Sequence, residues 1–189
     1  MDVISVYDLI NKDIRGKVIC FPTDTVYGVG ALIDDIEAIK KIYNLKNRDY
    51  SKPLAILTGT KDIDRYVMNI SKDAKQLMDK YWPGALTLIF KKTNLIPDIV
   101  TSNLNTVGLR MPNSSIALML LEKFGLLATT SINISGESPL NNKEDIIKQF
   151  GNDIDYLVME TQTSSNVSSS IIDVTEKNIK VIRQGDIKL

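Results

Sequence analysis

Residues 17–57, which read KVICFPTDTVYGVGALIDDIEAIKKIYNLKNRDYSKPLAIL, decide the fold of this chain. The apolar run over 17–21 is rich in β-branched and aromatic residues and predicts a strand. A polar turn with two glycines follows, and apolar residues at helical spacing then predict a helix over 34–46. Residues 53–57 are again apolar and predict a strand buried on both faces. Strand, helix and strand together predict a βαβ unit.

The rest of the chain alternates between helical and strand-like patterns. Helical spacing or capping signals predict helices over 5–15, 61–68, 71–81, 114–124 and 143–150. Short β-rich runs predict strands over 85–91, 106–111, 126–129, 155–159, 170–174 and 180–183. We therefore expect an α/β (α+β) fold, an open, twisted, mixed sheet flanked by helices, in a single domain over 1–189. The Ser/Thr/Asn-rich stretch 162–170 is expected to be a mobile ligand loop.

Composition excludes several kinds of chemistry. The 189 residues contain no histidine and one cysteine, Cys20, which excludes Ser-His-Asp catalysis, an intrachain disulfide and a multi-cysteine zinc site. The 23 basic and 23 acidic residues balance, so any attraction for phosphate has to come from local clusters of Lys and Arg. No signal peptide or membrane-length apolar run is visible, and a cytoplasmic protein without a membrane partner is the expectation.

The chain has neither GxxxxGK[ST] nor GxGxxG, so a bound nucleotide would rely on side-chain cations rather than on a glycine-rich phosphate loop. On physical grounds alone, the KNR segment at 46–48 is more often a solvated surface than a site. Arg110 is a stronger candidate, because it interrupts an apolar strand and needs a partner if it is buried. Thr23, Ser131 and Asn133 are also ordinary turn residues, and both interpretations stay open for them.

Seven segments resemble one known family. In order they are FPTDTVYGVG, KNR, SKPL, LNTVGLRMP, SINISGE, SSSIIDV and VIRQG, and they are similar to blocks of the YrdC family of threonylcarbamoyl-adenylate synthases. The resemblance covers nearly the whole chain and matches the short, single-domain form. It implies an enzyme that makes L-threonylcarbamoyl-AMP and pyrophosphate from L-threonine, bicarbonate or CO2, and ATP. The product would supply the threonylcarbamoyl group that a downstream transferase complex places on adenosine 37 of certain tRNAs.

The same resemblance implies roles for individual residues. It implies three catalytic side chains, Lys46, Arg48 and Arg110. It implies five threonine-binding residues, Thr23, Leu57, Arg110, Thr129 and Ser169. It implies eight ATP-binding residues, Lys46, Arg48, Lys52, Thr106, Ser131, Asn133, Pro139 and Arg183. Mg²⁺ would be held mainly by the ATP phosphates, with Ser131 and Asn133 near the metal.

The sequence departs from the family pattern in two places. Asp49 follows KNR where the family often has proline, and SSS precedes the strand IIDV where PST or EST is commoner.

Two other functions stay open from the sequence. One alternative is an RNA-binding module that uses the same basic face, although the chain lacks a basic excess. The other is a carbamoyl-transfer domain that uses carbamoyl phosphate. Direct contact with tRNA is left open by the sequence.

Overall fold

The computed structural model describes residues 1–188 and contains one ten-stranded sheet with six helices. The strands are β1 (Asp2–Ile4), β2 (Ile19–Phe21), β3 (Gly28–Leu32), β4 (Ala55–Leu57), β5 (Leu86–Lys91), β6 (Thr106–Arg110), β7 (Leu127–Ser131), β8 (Tyr156–Val158), β9 (Ser170–Asp173) and β10 (Lys180–Arg183). The helices are α1 (Val6–Leu9), α2 (Ile36–Leu45), α3 (Lys72–Tyr81), α4 (Asp98–Thr101), α5 (Ser115–Phe124) and α6 (Lys143–Phe150).

The sheet is mixed, as the sequence predicted. Its strand order is β1-β8-β2-β3-β7-β4-β6-β5-β9-β10. The β1/β8, β8/β2, β4/β6 and β5/β9 pairs are parallel, and the other neighbours are antiparallel. None of the helices that the structure describes within residues 1–188 is long and apolar enough to cross a lipid bilayer.

Helices cover the two faces of the sheet unequally. One face carries the larger core, in which apolar strand residues such as Val29, Ile56 and Leu109 pack with α2, α3 and α6. The other face has a smaller core, in which strand residues such as Phe21 and Leu127 pack with α1 and α5. The part of this second face that α1 and α5 leave uncovered forms the floor of a cavity.

The predicted polar turn with two glycines was wrong over residues 28–32, which form strand β3. Residues 28–32 pair antiparallel with β2 on one side and with β7 on the other. Since β7 is also antiparallel to β4, β3 runs parallel to β4 and β2 does not. The predicted βαβ unit was therefore wrong in its first strand. The parallel crossover is β3-α2-β4, and β7 lies between its two strands.

Several predicted helices are confirmed, and a side-chain cap begins each of them. The Ser71, Ser114 and Asn142 side chains each accept a hydrogen bond from the third backbone amide after them, at the starts of α3, α5 and α6. Asp35 does the same for α2, through Ala38. Gly125, with φ +77°, follows the last residue of α5 and adopts a positive φ that glycine tolerates better than other residues.

Two predicted helices are wrong or too long. Residues 61–68 form turns, because Val67 pairs with Lys92 in an isolated bridge and Thr93 donates its amide to the Tyr66 carbonyl. These contacts with the chain after β5 replace the intrahelical bonds. The first helix ends at Leu9 and does not reach residue 15. Strand β1 and helix α4 are short, and the sequence pattern predicted neither of them.

Candidate functional site

The uncovered part of the second sheet face is the floor of a cavity of about 200 Å³. Small side chains form much of this floor. The lining residues are Thr23, Thr25, Val26, Gly28, Arg48, Pro53, Ala55, Leu57, Thr87, Arg110, Thr129, Thr130, Ser131, Ser168, Ser169, Ile171 and Arg183. The cavity therefore lies against the face of the sheet rather than beyond the ends of its strands.

The glycines of β3 are required by the close approach of β7. A Cβ atom at Gly30 would lie 2.9 Å from Thr129 Oγ1, and one at Gly28 would lie 3.1 Å from Thr129 Cγ2. The register explains this crowding, because Gly30 pairs directly with Thr129 and their side-chain positions share a face. The two glycines thus leave room for the Thr129 side chain in the cavity floor.

Arg110 lies at the end of β6 and is 7% exposed. Its guanidinium donates to the Gly84 carbonyl at 3.0 Å, to Thr25 Oγ1 at 2.8 Å and to the Asp24 carboxylate at 2.5 Å. Burial lowers the pKa of Arg110, and the Asp24 charge opposes that shift. A guanidinium has five N–H donors, so one N–H on each Nη nitrogen remains for a ligand. Arg110 is therefore oriented on three sides and still able to bind a carboxylate.

Arg183 fixes the chain just before β9. It donates to the Ser169 carbonyl from Nε at 3.1 Å and from Nη2 at 2.8 Å, and Nη2 also lies 3.3 Å from Ser169 Oγ. The Ser169 hydroxyl lies 2.8 Å from Thr87 Oγ1 on β5. Burial lowers the pKa of Arg183. A cation and two hydroxyls therefore meet at this wall of the cavity.

Arg48 lies in the loop that joins α2 to β4. Its Nε donates to the Lys52 carbonyl at 3.0 Å and its Nη2 to the Pro53 carbonyl at 2.8 Å. Tyr43 supports the same loop, because its hydroxyl also donates to the Lys52 carbonyl and its ring stacks on Tyr50 at 4.5 Å between centroids. Burial lowers the pKa of Arg48. The loop thus holds a partly buried guanidinium at the cavity wall.

Lys46 is 1% exposed and does not line the cavity. Its ammonium donates to the Ser131 carbonyl at 2.5 Å, to the Asn133 carbonyl at 2.7 Å and to Asn133 Oδ1 at 2.9 Å. Burial, and to a smaller extent the charge of Arg48, lower the pKa of Lys46 to about 7. Asn133 Oδ1 also accepts from Ser131 Oγ at 2.6 Å. Lys46 therefore fastens the loop after β7 to the end of α2.

The low pKa of Lys46 makes stability depend on pH. The ordinary lysine pKa is 10.5 and the folded value is about 7, so between these values the unfolded chain binds more protons than the folded protein. The free energy of unfolding should therefore rise as the pH increases from about 7 towards 10.5. Urea denaturation across this range should give a smaller rise for Lys46→Met than for the wild type. Equal rises would contradict a depressed Lys46 pKa.

The structure brings together eight of the site residues that the resemblance implied. These are Thr23, Arg48, Leu57, Arg110, Thr129, Ser131, Ser169 and Arg183. Five others do not line the cavity, namely Lys46, Lys52, Thr106, Asn133 and Pro139. Lys46 and Asn133 act on the cavity through Ser131, whereas the Lys52 side chain is exposed and Thr106 lies at the far end of β6 from Arg110. Pro139 is partly buried in the loop after β7.

Sequence analysis missed two residues that hold the site together. Asp24 pairs with Arg110, and nothing in the PTDT turn distinguished its carboxylate from an ordinary turn residue. Thr87 is 4% exposed and faces the cavity from β5. Its signal was available, because a hydroxyl between Leu86 and Leu88 interrupts an apolar strand in the same way as Arg110 does.

The site is electrostatically one-sided. Lys46, Arg48, Arg110 and Arg183 all lie in or directly behind the cavity wall, and all four have lowered pKa values because of burial. Within residues 1–188, Asp24 is the only carboxylate in salt-bridge contact with any of the four. The charge of Asp186 also acts on Arg110, but the cations still outnumber the carboxylates at this cavity, and such a cluster attracts anions. The cavity is therefore suited to carboxylate and phosphate groups.

The protein groups around the cavity do not suit a resident metal ion. In the described part of the chain, no three His, Cys, Asp or Glu side chains come together as metal ligands. Asp24 is occupied by Arg110, and Asn133 Oδ1 accepts from both Lys46 and Ser131. A divalent cation would need most of its ligands from a bound anion.

The loop between β8 and β9 crosses beside the cavity. Ser165 and Asn166 donate their backbone amides to the carbonyls of Asp24 and Thr25, at 3.0 and 2.9 Å. Gln162 accepts from Ser114 Oγ at 2.7 Å. The predicted ligand loop is thus hydrogen-bonded to the same turn that holds Arg110, and its mobility stays a prediction.

Comparison with known proteins gives a consistent result. The family model Sua5_yciO_yrdC, which is described as telomere recombination, matches residues 14–185. The threonylcarbamoyl-AMP synthase of Pyrococcus abyssi is 35% identical over 177 residues, which are 93% of this chain and 52% of that protein. A putative threonylcarbamoyl-AMP synthase of Methanocaldococcus jannaschii is 35% identical over 186 residues, 97% of this chain and 87% of the relative.

Solved structures agree with the sequence relatives. The crystal structure of P. abyssi Sua5 complexed with L-threonine has a TM-score of 0.89 and 33% identity, and the match covers 95% of this chain and 54% of that one. Escherichia coli YciO has a TM-score of 0.83 and 25% identity, with 95% of this chain and 88% of that one covered. The chain spans about half the length of the P. abyssi protein that it matches.

Proposed function

The chain belongs to the Sua5/YciO/YrdC family, and we propose that it is an enzyme, an L-threonylcarbamoyladenylate synthase. The proposed reaction joins L-threonine, bicarbonate or CO2, and ATP to give L-threonylcarbamoyl-AMP and pyrophosphate. The observation that carries this proposal is that three arginines, Arg48, Arg110 and Arg183, line one small cavity while the Lys46 ammonium lies directly behind its wall. Two of the substrates that would meet there, L-threonine and ATP, are anionic through a carboxylate and a triphosphate.

Arg110 is proposed to bind the threonine carboxylate. One N–H on each of its Nη nitrogens has no partner in the protein, whereas its other contacts fix the plane of the guanidinium. Hydroxyls of Thr23 and Ser169 and the methyl groups of Leu57 line the same cavity. Together they offer both polar and apolar contacts to a small β-hydroxy amino acid. The P. abyssi relative has been crystallised in complex with L-threonine, which supports this assignment.

Arg48 and Arg183 are proposed to neutralise the ATP phosphates. Both line the cavity, and their guanidinium groups are held by backbone carbonyls, so that their positions are set before a ligand binds. Lys46 would act from behind, by fixing the Ser131 and Asn133 loop and by adding positive charge. Lys52 and Thr106 lie outside the cavity lining and would need a larger ligand or a shift of their loops to make contact.

The proposed chemistry depends on positioning and charge rather than on an acid-base residue. The threonine amine adds to CO2 and releases a proton to the solvent, or adds to bicarbonate with loss of water, and in either case becomes a carbamate. A carbamate oxygen then attacks the α-phosphorus of ATP, and the bond to the departing pyrophosphate breaks. Preorganised cations around transferring phosphoryl groups stabilise such transition states without a histidine. Mg²⁺ is proposed to arrive with ATP, held mainly by the phosphates, and to offset their charge.

The proposal also gives the product a use. L-threonylcarbamoyl-AMP is an activated carbamoyl donor, which a tRNA threonylcarbamoyl transferase complex would consume. This use of the product agrees with the sequence-based expectation that the protein is cytoplasmic. Direct contact of this chain with tRNA is not required by the reaction, since a diffusible product can be handed over.

The first test is pyrophosphate release from MgATP in bicarbonate buffer. We expect release with L-threonine, little without an amino acid, and a kcat/KM about tenfold or more lower with L-serine, because one methyl group is worth about 10- to 200-fold in an apolar pocket. Mass spectrometry should find threonylcarbamoyl-AMP in the same reaction. Absence of threonine-dependent release, with carbamoyl phosphate cleaved or RNA bound instead, would overturn the proposal in favour of one of the two alternative functions.

A further inference from the structure

The strongest unexplained feature of the cavity is a buried pair of hydroxyls. Thr87 Oγ1 and Ser169 Oγ lie 2.8 Å apart, and the two residues are 4% and 7% exposed. Thr87 comes from β5, and Ser169 directly precedes β9, which pairs with β5 in parallel. The contact therefore joins two strands across the wall of the cavity. Neither the family resemblance nor the comparisons assign a role to Thr87.

One of the two hydroxyl protons of this pair has no acceptor in the protein. Each hydroxyl carries one donor and can accept two hydrogen bonds. Ser169 Oγ also accepts from Arg183 Nη2 at 3.3 Å. Since only one of the two hydroxyl protons is used in the contact between Thr87 and Ser169, the other O–H remains available to a ligand. The pair thus offers one directed donor from a wall that Arg183 otherwise makes cationic.

The backbone around Thr87 fixes the direction of its hydroxyl. A Cβ atom at Gly108, on the neighbouring strand β6, would lie 3.2 Å from Thr87 Cγ2. The missing side chain of Gly108 therefore gives the Thr87 methyl its place. Because a β-branched residue is stiff about χ1, placing the methyl also places the hydroxyl. Arg110 is two residues further along the same strand and faces the same side.

We infer that Thr87 is a positioning residue for the amino-acid substrate. Its hydroxyl holds Ser169 Oγ in the cavity, so that Ser169 is oriented by Thr87 on one side and by Arg183 on the other. Without Thr87, Ser169 Oγ turns towards its remaining partner, Arg183, and the directed donor is lost. This inference rests on the proposed function and adds to it the residue through which Ser169 acts.

Thr87→Val tests the inference, since it keeps the shape and removes the hydroxyl. We expect the KM for L-threonine to rise about tenfold, the effect of one lost hydrogen bond in a buried site. The kcat and the KM for ATP should stay within about twofold. Thr87→Ser keeps the hydroxyl but lacks the methyl group that fixes its direction, so its KM for threonine should lie between those of the wild type and Thr87→Val. Thr101→Val is the matched control, because Thr101 is also fully buried but lies outside the cavity lining.

A double-mutant cycle separates positioning from general loss of structure. Thr87→Val and Ser169→Ala should not be additive in the KM for threonine, because Thr87 acts only by positioning the Ser169 hydroxyl that Ser169→Ala removes. Additive effects, an unchanged KM in Thr87→Val, or equal increases in the KM values for threonine and ATP would overturn the inference. If Thr87→Val folds poorly, Thr87→Ala replaces it in the same cycle. A wild type without threonine-dependent pyrophosphate release would instead refute the proposed function and this inference with it.

Discussion

Replacing Arg110 with lysine is expected to raise the KM for L-threonine about 100-fold, equivalent to about 2.7 kcal/mol. The Arg110 guanidinium already donates three hydrogen bonds, to Gly84, Thr25 and Asp24. A lysine has three donors on one nitrogen and cannot hold these partners while also binding a carboxylate at two points. Its positive charge would still compensate Asp24, so folding should suffer less than with alanine. The effect should therefore fall mainly on threonine binding.

Steady-state kinetics with each substrate varied in turn would measure this effect. The KM for ATP should change by less than about threefold in Arg110→Lys, because Arg48 and Arg183 are unchanged. Arg65→Lys is the control, since Arg65 lies over the Tyr66 ring and outside the cavity lining. A threonine KM in Arg110→Lys within twofold of the wild type would remove Arg110 from the carboxylate site. Arg110→Ala should be worse, since it leaves Asp24 without its partner.

The fold could be predicted as far as local signals reach. Capped, strongly periodic segments such as 71–81 and 143–150 were placed correctly, because their signals lie within the segment itself. Strand β3 was missed because Gly28 and Gly30 have the local pattern of a turn. Glycine is needed at these two positions because the Thr129 side chain of β7, about 100 residues further along the chain, packs against them. Contacts of that kind leave no trace in a local pattern.

The candidate site was predicted in composition better than in arrangement. A lone arginine in an apolar strand pointed to Arg110 on physical grounds, and the structure buries it with a carboxylate. The interpretation of the KNR segment as a solvated surface was partly wrong, because Lys46 is fully buried and Arg48 is half-buried. Sequence spacing could not reveal that Lys46 faces backbone carbonyls, since those carbonyls belong to residues more than 80 positions away.

Lys46→Met is the second substitution with a large expected effect, and here stability and catalysis should fall together. The Ser131 carbonyl, the Asn133 carbonyl and Asn133 Oδ1 would each lose their Lys46 donor within the protein. Unsatisfied buried polar groups cost about 1–3 kcal/mol each, and partial rescue by Ser131 Oγ or by water would reduce the sum. We expect a loss of about 3 kcal/mol and a Tm lower by about 6–12 °C.

The same substitution tests how Lys46 supports turnover. If the lysine fixes the loop that carries Ser131 rather than touching substrate, Lys46→Met should lower kcat about 100-fold and raise the KM for ATP, while the KM for threonine changes little. Lys40→Met, on the same helix, is the control, because Lys40 forms only an exposed pair with Glu37 and should change stability by less than about 0.5 kcal/mol. A stable Lys46→Met that loses only turnover would instead mean that the ammonium leaves its three oxygens to contact the phosphates. Loss of both at once is what a buried anchor behind the phosphate site requires.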